Sequence, residues 1–394
     1  MNKALKFFAL PLIGIMSLVG CTTNDNTSDT TSATTHDSTS INEDVYMYND
    51  EQKYQKFWED ETIYNETVCL VEEDGEIYGK LMFTPTEVIS VRDYTTEKEI
   101  PASEYKIEGN RIIRTKNSTL PYFTEANMRG EDLPAGIIDT YQGKEHPIMF
   151  TEGPGIVMRQ LNVTYKHSEP WDGYKPVYLG DKLPKTIEKL TNKEHLTIGF
   201  YGDSIMTGCN ASSKLVIPPY LDDFPTASVK MLKKLYNYED IEFFNTSKGG
   251  TLSDWGKTNV DVNVNAYSPD LVFLGFGMND GSWNIKPNDF VSNIEFMIAS
   301  IQARNQNAEI IVVSTILANP DSTQNAGQEN YLEPLKEMVK NYEGVAVMDM
   351  TSYSQYLLSK KRSVDILANN INHPSDFLVR GYVSSILTSL DEDF

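Results

Sequence analysis

The sequence predicts an all-β region followed by an α/β domain with a doubly wound parallel sheet in three layers. Between residues 45 and 180, short strand-like runs are separated by turn residues, and long helical periodicity is absent. From 190 to 394, apolar runs of strand length alternate with helical stretches, as in parallel sheets whose strands are joined by helices. We therefore predict two domains with these boundaries, the first of them smaller and similar to a sandwich or jelly roll.

In the first region, two β-hairpins are predicted from turn residues that lie between strand-like runs. Val68–Val71 and Ile77–Phe83 flank a Glu-Glu-Asp-Gly-Glu turn, and Tyr105–Ile107 and Arg111–Arg114 flank a Glu-Gly-Asn turn. A further run, Ile156–Tyr165, is typical of a strand. Short strands in succession, without helices between them, indicate an all-β domain.

In the second region, five apolar runs predict buried parallel strands, at 196–201, 241–244, 271–276, 309–316 and 345–350. Helices are predicted near 225–238, 288–305, 330–342 and 376–390. Ligands of such sheets bind beyond the carboxyl ends of the strands, near the point where the strand order reverses. We therefore expect the functional residues in the turns that directly follow the strands.

Residues suited to acyl transfer occupy these turns. Ser204 follows the first strand, Gly250 the second and Asn279 the third, and His373 precedes the last helix. A serine hydroxyl is a good nucleophile only when a base removes its proton, and histidine suits that role near neutral pH. The N–H groups of Ser204 and Gly250 and the side-chain amide of Asn279 are donors that could stabilise the resulting oxyanion.

His373 is predicted to be the base because each of the other histidines lies in an unsuitable place. His36 lies in a polar N-terminal stretch, His146 and His167 lie in the β region, and His195 lies at the amino end of the first predicted strand. His373 alone is expected at the edge of the sheet that carries Ser204.

These motifs, in this order, resemble the SGNH (GDSL) hydrolase family. The matching blocks are GDSI at 202–205, Gly250, GMND at 277–280 and His-Pro at 373–374. The resemblance extends over about 194–394 and implies an SGNH, flavodoxin-like fold. It also implies that Ser204 is the nucleophile and His373 the base, and that Ser204, Gly250 and Asn279 form the oxyanion hole.

One position departs from the family pattern. The last block of the family is usually Asp-x-x-His, in which the aspartate orients the histidine, but Asn370 occupies that position here. Either His373 acts in a Ser–His dyad, oriented by a backbone carbonyl or an amide oxygen, or another carboxylate takes the place of the aspartate. Asp376 is the nearest carboxylate in sequence, but it also fits the first turn of the last helix.

The N-terminus resembles a bacterial lipoprotein signal. Residues 1–20 contain Lys3 and Lys6, an apolar stretch too short to span a membrane comfortably, and a final glycine before Cys21. The resemblance implies lipidation of Cys21; an ordinary secretory signal is the alternative. Residues 21–44 are rich in Thr, Ser, Asp and Asn and are predicted to be a flexible tether. We therefore expect a lipid-anchored protein on the cell surface or the periplasmic face of a membrane.

Charge and cysteine content exclude several function classes. The formal net charge of −22 argues against DNA or RNA as a partner. No metal-site spacing is present, and we predict neither a metal nor a cofactor. Cys69 and Cys209 are expected in different domains, so two free thiols are favoured over a disulfide.

The architecture favours a carbohydrate esterase that removes O-acyl groups, in particular O-acetyl groups, from a polysaccharide or oligosaccharide. Two-domain enzymes that resemble this sequence often deacetylate polysaccharides, and a tethered surface protein suits a large extracellular substrate. Tyr220 and Trp283 lie in loops that could contact this substrate. A lipase or lysophospholipase, and a non-catalytic glycan-binding lipoprotein, are the alternatives.

Overall fold

The computed structural model describes residues 49–394. The predicted signal at 1–20, Cys21 and the predicted tether at 21–44 lie outside the described residues. No helix within 49–394 is long and apolar enough to cross a membrane.

The N-terminal part of the described chain is antiparallel and almost entirely β. Its strands are β1 (Thr62–Cys69), β2 (Val71–Glu73), β3 (Glu76–Lys80), β4 (Glu87–Asp93), β5 (Tyr105–Glu108), β6 (Arg111–Arg114), β7 (Asp139–Tyr141), β8 (Ile148–Phe150) and β9 (Gln160–Lys166), and its short helices are α1 (Asp50–Lys53) and α2 (Glu125–Met128). The nine strands form a sheet in the order β1-β9-β4, a second sheet in the order β2-β3-β6-β5, and the β7–β8 hairpin. The second predicted hairpin is present as β5–β6. The first is present as β2–β3 with other bounds, because the predicted strand at 68–71 is divided between β1 and β2 and the second strand ends at Lys80. The run predicted as a strand from Ile156 begins with a 3₁₀ turn at Val157–Arg159, so β9 is shorter than expected.

The C-terminal part is an α/β domain. Its strands are β10 (Leu196–Gly202), β11 (Ile241–Asn245), β12 (Leu271–Gly275), β13 (Glu309–Val313) and β14 (Val345–Met348). Its helices are α3 (Pro184–Asn192), α4 (Phe224–Tyr236), α5 (Ser253–Asn263), α6 (Met278–Ser282), α7 (Pro287–Arg304), α8 (Leu332–Val339), α9 (Met350–Lys360), α10 (Ser363–Ile366) and α11 (Asp376–Leu390).

The five strands form a parallel sheet in the order β11-β10-β12-β13-β14. The order reverses between β10 and β12, so the crevice for a ligand is expected where the carboxyl ends of these two strands separate. The predicted fold class, a doubly wound parallel sheet preceded by an all-β region, is confirmed.

Apolar side chains cover both faces of the sheet because successive side chains of a strand point to opposite sides. On one face, Phe200 of β10 stacks on Phe273 of β12 with ring centroids 4.9 Å apart. This face packs against α4 and α11 within one apolar cluster. On the other face, Leu274 and its neighbours pack against α5, α7 and α8. The sheet is therefore the middle of three layers.

The β region packs directly against the α/β domain. The apolar cluster on the α11 side continues into the β region, where Phe57 lies 4.8 Å from Phe377, measured between ring centroids. The guanidinium of Arg380 on α11 donates to the backbone carbonyl oxygens of Tyr64 and Asn65, each at 2.9 Å. These contacts hold the β region against the domain that carries the predicted site.

Candidate active site

Ser204 lies directly after β10, in a tight turn at the carboxyl edge of the sheet. A Cβ atom at Gly202 would lie 2.0 Å from the carbonyl oxygen of Gly275, so a glycine is needed where β10 and β12 meet. The turn is fixed by hydrogen bonds from the Asp203 N–H to Gly275 O at 3.1 Å and from the Ile205 N–H to the Asp203 carboxylate at 3.0 Å. Ser204 is 6% exposed and is held at the reversal point of the strand order.

His373 is presented by a tight turn that precedes α11. The Asn369 side-chain oxygen accepts hydrogen bonds from the N–H groups of Ile371, Asn372 and His373, at 3.0, 2.9 and 3.0 Å. Such side-chain to backbone bonding is the usual way in which asparagine stabilises a turn. His373 Nε2 lies 2.9 Å from Ser204 Oγ. The structure therefore brings together the nucleophile and the base predicted from the sequence.

Two residues that the sequence did not single out contact the other nitrogen of His373. Its Nδ1 lies 2.5 Å from the side-chain oxygen of Asn210 and 3.1 Å from Oε2 of Glu152. Asn210 follows the nucleophile turn, whereas Glu152 follows β8 in the β region. Both alternatives left open by Asn370 are present, an amide oxygen and a carboxylate, but the carboxylate is not that of Asp376.

These contacts fix the tautomer of His373. The side-chain N–H of Asn210 donates to the backbone oxygen of Glu152 at 3.0 Å, so the Asn210 side-chain oxygen faces the imidazole. Asn210 Oδ1 and the Glu152 carboxylate are both acceptors, so Nδ1 must carry the proton. The lone pair of Nε2 then points at the Ser204 hydroxyl, which is the arrangement that a general base needs.

The two carboxyl groups that interact with His373 have pKa values shifted in opposite directions. Partial burial raises the pKa of Glu152, but the attraction of His373 and hydrogen bonds from His373, Asn369 and Asn210 outweigh it and place that pKa below its ordinary value. Glu152 is therefore ionised at neutral pH. Complete burial raises the pKa of Asp203 to about 7, with the Ile205 N–H and His373 opposing the shift and Asp280 adding to it.

Gly250 and Asn279 lie after β11 and β12, the two strands that flank β10. The Lys248 N–H donates to the Gly202 carbonyl at 3.0 Å, which holds the turn after β11 against the end of β10. Gly250 has φ +73°, a backbone conformation that favours glycine. Asn279, in α6, donates one side-chain hydrogen to Thr251 O at 2.9 Å. This hydrogen bond links the segment that follows β11 to the helix that follows β12.

Comparison with known protein families bears on this geometry. Residues 200–377 match the model of the GDSL-like lipase/acylhydrolase family. This range contains Ser204, Gly250, Asn279 and His373. The α/β domain is therefore similar to the GDSL-like family over these residues. The recognition from the sequence motifs is therefore confirmed.

Solved structures are similar to this chain at low identity. A two-domain esterase active on acetylated mannans is 20% identical, with a TM-score of 0.43, and the match covers 54% of this chain and 53% of that chain. A mutant of an acetylxylan esterase from Geobacillus stearothermophilus is 16% identical (TM-score 0.40, covering 49% and 92%). A lipase/acylhydrolase from Enterococcus faecalis is 20% identical (TM-score 0.37, covering 49% and 95%). A search of curated protein sequences gave no significant match.

Two further carboxylates of the α/β domain, those of Asp280 and Asp376, form hydrogen bonds that stabilise the fold. The Asp280 carboxylate accepts hydrogen bonds from the N–H and hydroxyl of Ser253, and so caps α5. Asp376 accepts from the Tyr94 hydroxyl and from the Ser212 N–H, the latter at 2.9 Å. Neither carboxylate is the hydrogen-bond partner of the His373 imidazole.

The cysteines and the two exposed aromatic residues have distinct environments. Cys69 and Cys209 are buried and are not joined by a disulfide. The described residues contain no group of three or more His, Cys, Asp or Glu side chains that could hold a metal ion.

Trp283 is 71% exposed and lies one helical turn after Asn279, and Tyr220 is 41% exposed.

Proposed function

We propose that this chain is a serine esterase that removes O-acetyl groups from a polysaccharide or oligosaccharide through an acyl-enzyme intermediate. The observation that carries the proposal is the 2.9 Å contact between Ser204 Oγ and His373 Nε2, made while Nδ1 is held by two acceptors. This arrangement suits a nucleophile with its general base.

The proposed reaction has two stages, the formation of the acyl-enzyme and its hydrolysis. His373 Nε2 takes the Ser204 proton while Oγ attacks the acetyl carbonyl carbon. The carbonyl oxygen becomes an oxyanion, which the N–H groups of Ser204 and Gly250 and the Asn279 amide stabilise. The intermediate collapses when His373 returns the proton to the sugar oxygen, which leaves as an alcohol. His373 then activates a water molecule that hydrolyses the acetyl-serine ester, releasing acetate and restoring Ser204.

The residues around the nucleophile favour a small acyl group on a polar leaving group. Asn210 and Glu152, which contact His373, are polar, and so are Thr251 and Asn279, which contact each other after the strands on either side of β10. Sugar hydroxyls can form hydrogen bonds with such side chains, whereas a long acyl chain requires apolar contacts. An esterase of acetylated mannans and an acetylxylan esterase are among the solved structures named above, but the inference for this chain comes from the site itself.

The test is hydrolysis by the purified chain of p-nitrophenyl acetate, p-nitrophenyl octanoate, acetylated mannan and acetylated xylan. We expect acetate release from at least one polysaccharide, little octanoate hydrolysis, and a loss of roughly 10³-fold or more in Ser204→Ala. Equal rates for Ser204→Ala and the parent protein would show that Ser204 is not the nucleophile. Faster cleavage of the octanoate ester would favour a lipase.

Lipid anchoring at Cys21 on the cell surface or the periplasmic face is part of the same proposal, since a surface location gives access to a polymer too large to enter the cell. Radiolabelled palmitate should be incorporated into the expressed chain and not into Cys21→Ser. Labelling of both proteins would exclude Cys21 as the acylated residue.

A further inference from the structure

We propose that Glu152, from the β region, is the acidic positioning residue of the active site, so that the catalytic machinery is shared between the two regions of the chain. This inference rests on the proposed function and deepens it. It gives the β region a role in the reaction, in addition to any role in binding substrate.

The polar groups of Glu152 are directed at the site. Its Oε2 lies 3.1 Å from His373 Nδ1, its Oε1 accepts from the Asn369 side chain at 3.2 Å, and its backbone oxygen accepts from Asn210 at 3.0 Å. Asn369 is the residue that shapes the turn carrying His373, and Asn210 is the second partner of Nδ1. The Glu152 side chain is 33% exposed, so it remains partly screened from solvent.

The β7–β8 hairpin, which ends just before Glu152, is anchored to the α/β domain by hydrogen bonds at its turn. The Lys144 N–H donates to Asp321 O at 2.7 Å, and the Thr323 N–H donates to Gln142 O at 3.0 Å. These bonds attach the β7–β8 turn to the loop that follows β13. A fixed hairpin can hold a carboxylate at a defined distance from the imidazole, which a free surface loop could not do.

Asn210 and Glu152 have different effects on His373. Asn210 is neutral, and its bond to Nδ1 is sufficient to keep the proton on that nitrogen. Glu152 adds a negative charge, which stabilises the imidazolium that forms when Nε2 accepts the serine proton. Removing the charge should therefore leave the tautomer intact and weaken only the charged form of His373.

The matched variants are Glu152→Gln, which removes the charge with little change in shape, and Glu152→Asp, which keeps it. Glu145→Gln is the control, because Glu145 is exposed in the same hairpin. For Glu152→Gln we expect kcat on p-nitrophenyl acetate to fall by about 10- to 100-fold with little change in KM. Glu152→Asp should retain more activity than Glu152→Gln, and Glu145→Gln should match the parent protein.

The pH dependence separates this role from simple support of the fold. Glu152 and Asp203 both interact electrostatically with His373. Glu152→Gln removes the charge of Glu152 and leaves Asp203 unchanged. Because the imidazolium of His373 is then less stabilised, we expect the acidic limb of the kcat/KM profile to move to lower pH in Glu152→Gln and not in Glu152→Asp or Glu145→Gln. Wild-type kcat and an unchanged profile in Glu152→Gln would overturn the proposal.

A measurement without substrate distinguishes this proposal from the proposed function. NMR titration of the His373 imidazole should give a lower midpoint in Glu152→Gln than in the parent protein and in Glu145→Gln. An unchanged midpoint would overturn the role of Glu152, whatever the substrate. If the midpoint moves but the parent protein hydrolyses no ester, the proposed function fails and the coupling between Glu152 and His373 stands.

Discussion

The side-chain amide of Asn370 donates a hydrogen bond to the backbone carbonyl oxygen of Met149 at 3.0 Å. Met149 belongs to β8, and Glu152 follows it by three residues. The position at which the family resemblance leads us to expect an aspartate therefore holds the strand that delivers a carboxylate to His373. An amide can donate to this carbonyl, whereas an ionised carboxylate cannot.

Restoring the aspartate at this position should damage the protein. In Asn370→Asp, a carboxylate oxygen would face Met149 O in a fully buried site, so we expect the free energy of unfolding to fall by about 1–3 kcal/mol and kcat not to rise. Urea denaturation and p-nitrophenyl acetate kinetics measure the two effects. Asn307→Asp adds the same charge at an exposed position and should change stability by less than about 0.5 kcal/mol. A more active Asn370→Asp protein would show that position 370 can orient His373.

Loss of the amide at Asn279 should affect the transition state more than substrate binding. We expect Asn279→Ala to lower kcat by about 10²- to 10³-fold with a small change in KM, because the oxyanion forms only during the reaction. Asn279→Asp should be at least as impaired, since its negative charge would repel the oxyanion. Steady-state kinetics on p-nitrophenyl acetate give both constants. A rise in KM with unchanged kcat would instead place Asn279 in substrate binding.

Glu97 should make stability depend on pH. Burial raises its pKa to about 7, against the effects of Asn162 and Arg92, and its Oε2 has no hydrogen-bond partner within residues 49–394. Because the folded pKa lies above the unfolded value, the stabilising contribution of the protonated group is complete below the ordinary pKa of 4.5 and is lost as the pH rises to about 7.

Glu97→Gln remains neutral and can still accept the Asn162 hydrogen bond. It should therefore be roughly 1–3 kcal/mol more stable than the parent protein at pH 8 and close to it at pH 4.5. Denaturant titrations at both pH values measure the difference. The same stability difference at both pH values would mean that Glu97 does not titrate in this range.

The ion pair between Lys361 and Glu66 should be essential to the contact between the two regions. Both side chains are fully buried, and Glu66 also accepts hydrogen bonds from the Tyr165 hydroxyl at 2.6 Å and the Met82 N–H at 3.0 Å. Lys361→Met leaves a buried carboxylate without its cation, so we expect a loss of about 3–5 kcal/mol in unfolding free energy. Adding Glu66→Gln should recover part of this loss. A double variant less stable than Lys361→Met alone would show that the buried charge is not the cause.

The residues that directly follow strands can be predicted as candidates from the sequence. Ser204 and Asn279 are examples, because buried strands and helices alternate regularly and a parallel sheet brings the ends of its strands to one edge. Asp349 shows a limit at the level of single elements. The apolar run at 345–350 was predicted to be one strand, but the Asp349 side chain accepts from the Ser352 N–H at 2.8 Å and begins α9.

Glu152 shows the larger limit. It lies 221 residues from His373 in sequence, within a Thr-Glu-Gly-Pro-Gly stretch that is typical of any turn. Its position depends on how the β region packs against the α/β domain, and hydrophobic periodicity does not encode that packing. The signal that was available was indirect, namely the absence of a carboxylate at Asn370.

Loss of the Trp283 ring should weaken the binding of acetylated oligosaccharides and leave the hydrolysis of small esters unchanged. Trp283 is 71% exposed and lies one turn after Asn279, and under the proposed function its ring would stack on a sugar residue beside the acetyl group. We expect Trp283→Ala to raise KM for acetylated oligosaccharide by about 5- to 10-fold, with p-nitrophenyl acetate kinetics unchanged. Phe296→Ala removes another exposed aromatic ring, on α7, and should leave the kinetics on both substrates unchanged. Equal KM values for Trp283→Ala and the parent protein on the oligosaccharide would exclude this ring from substrate binding.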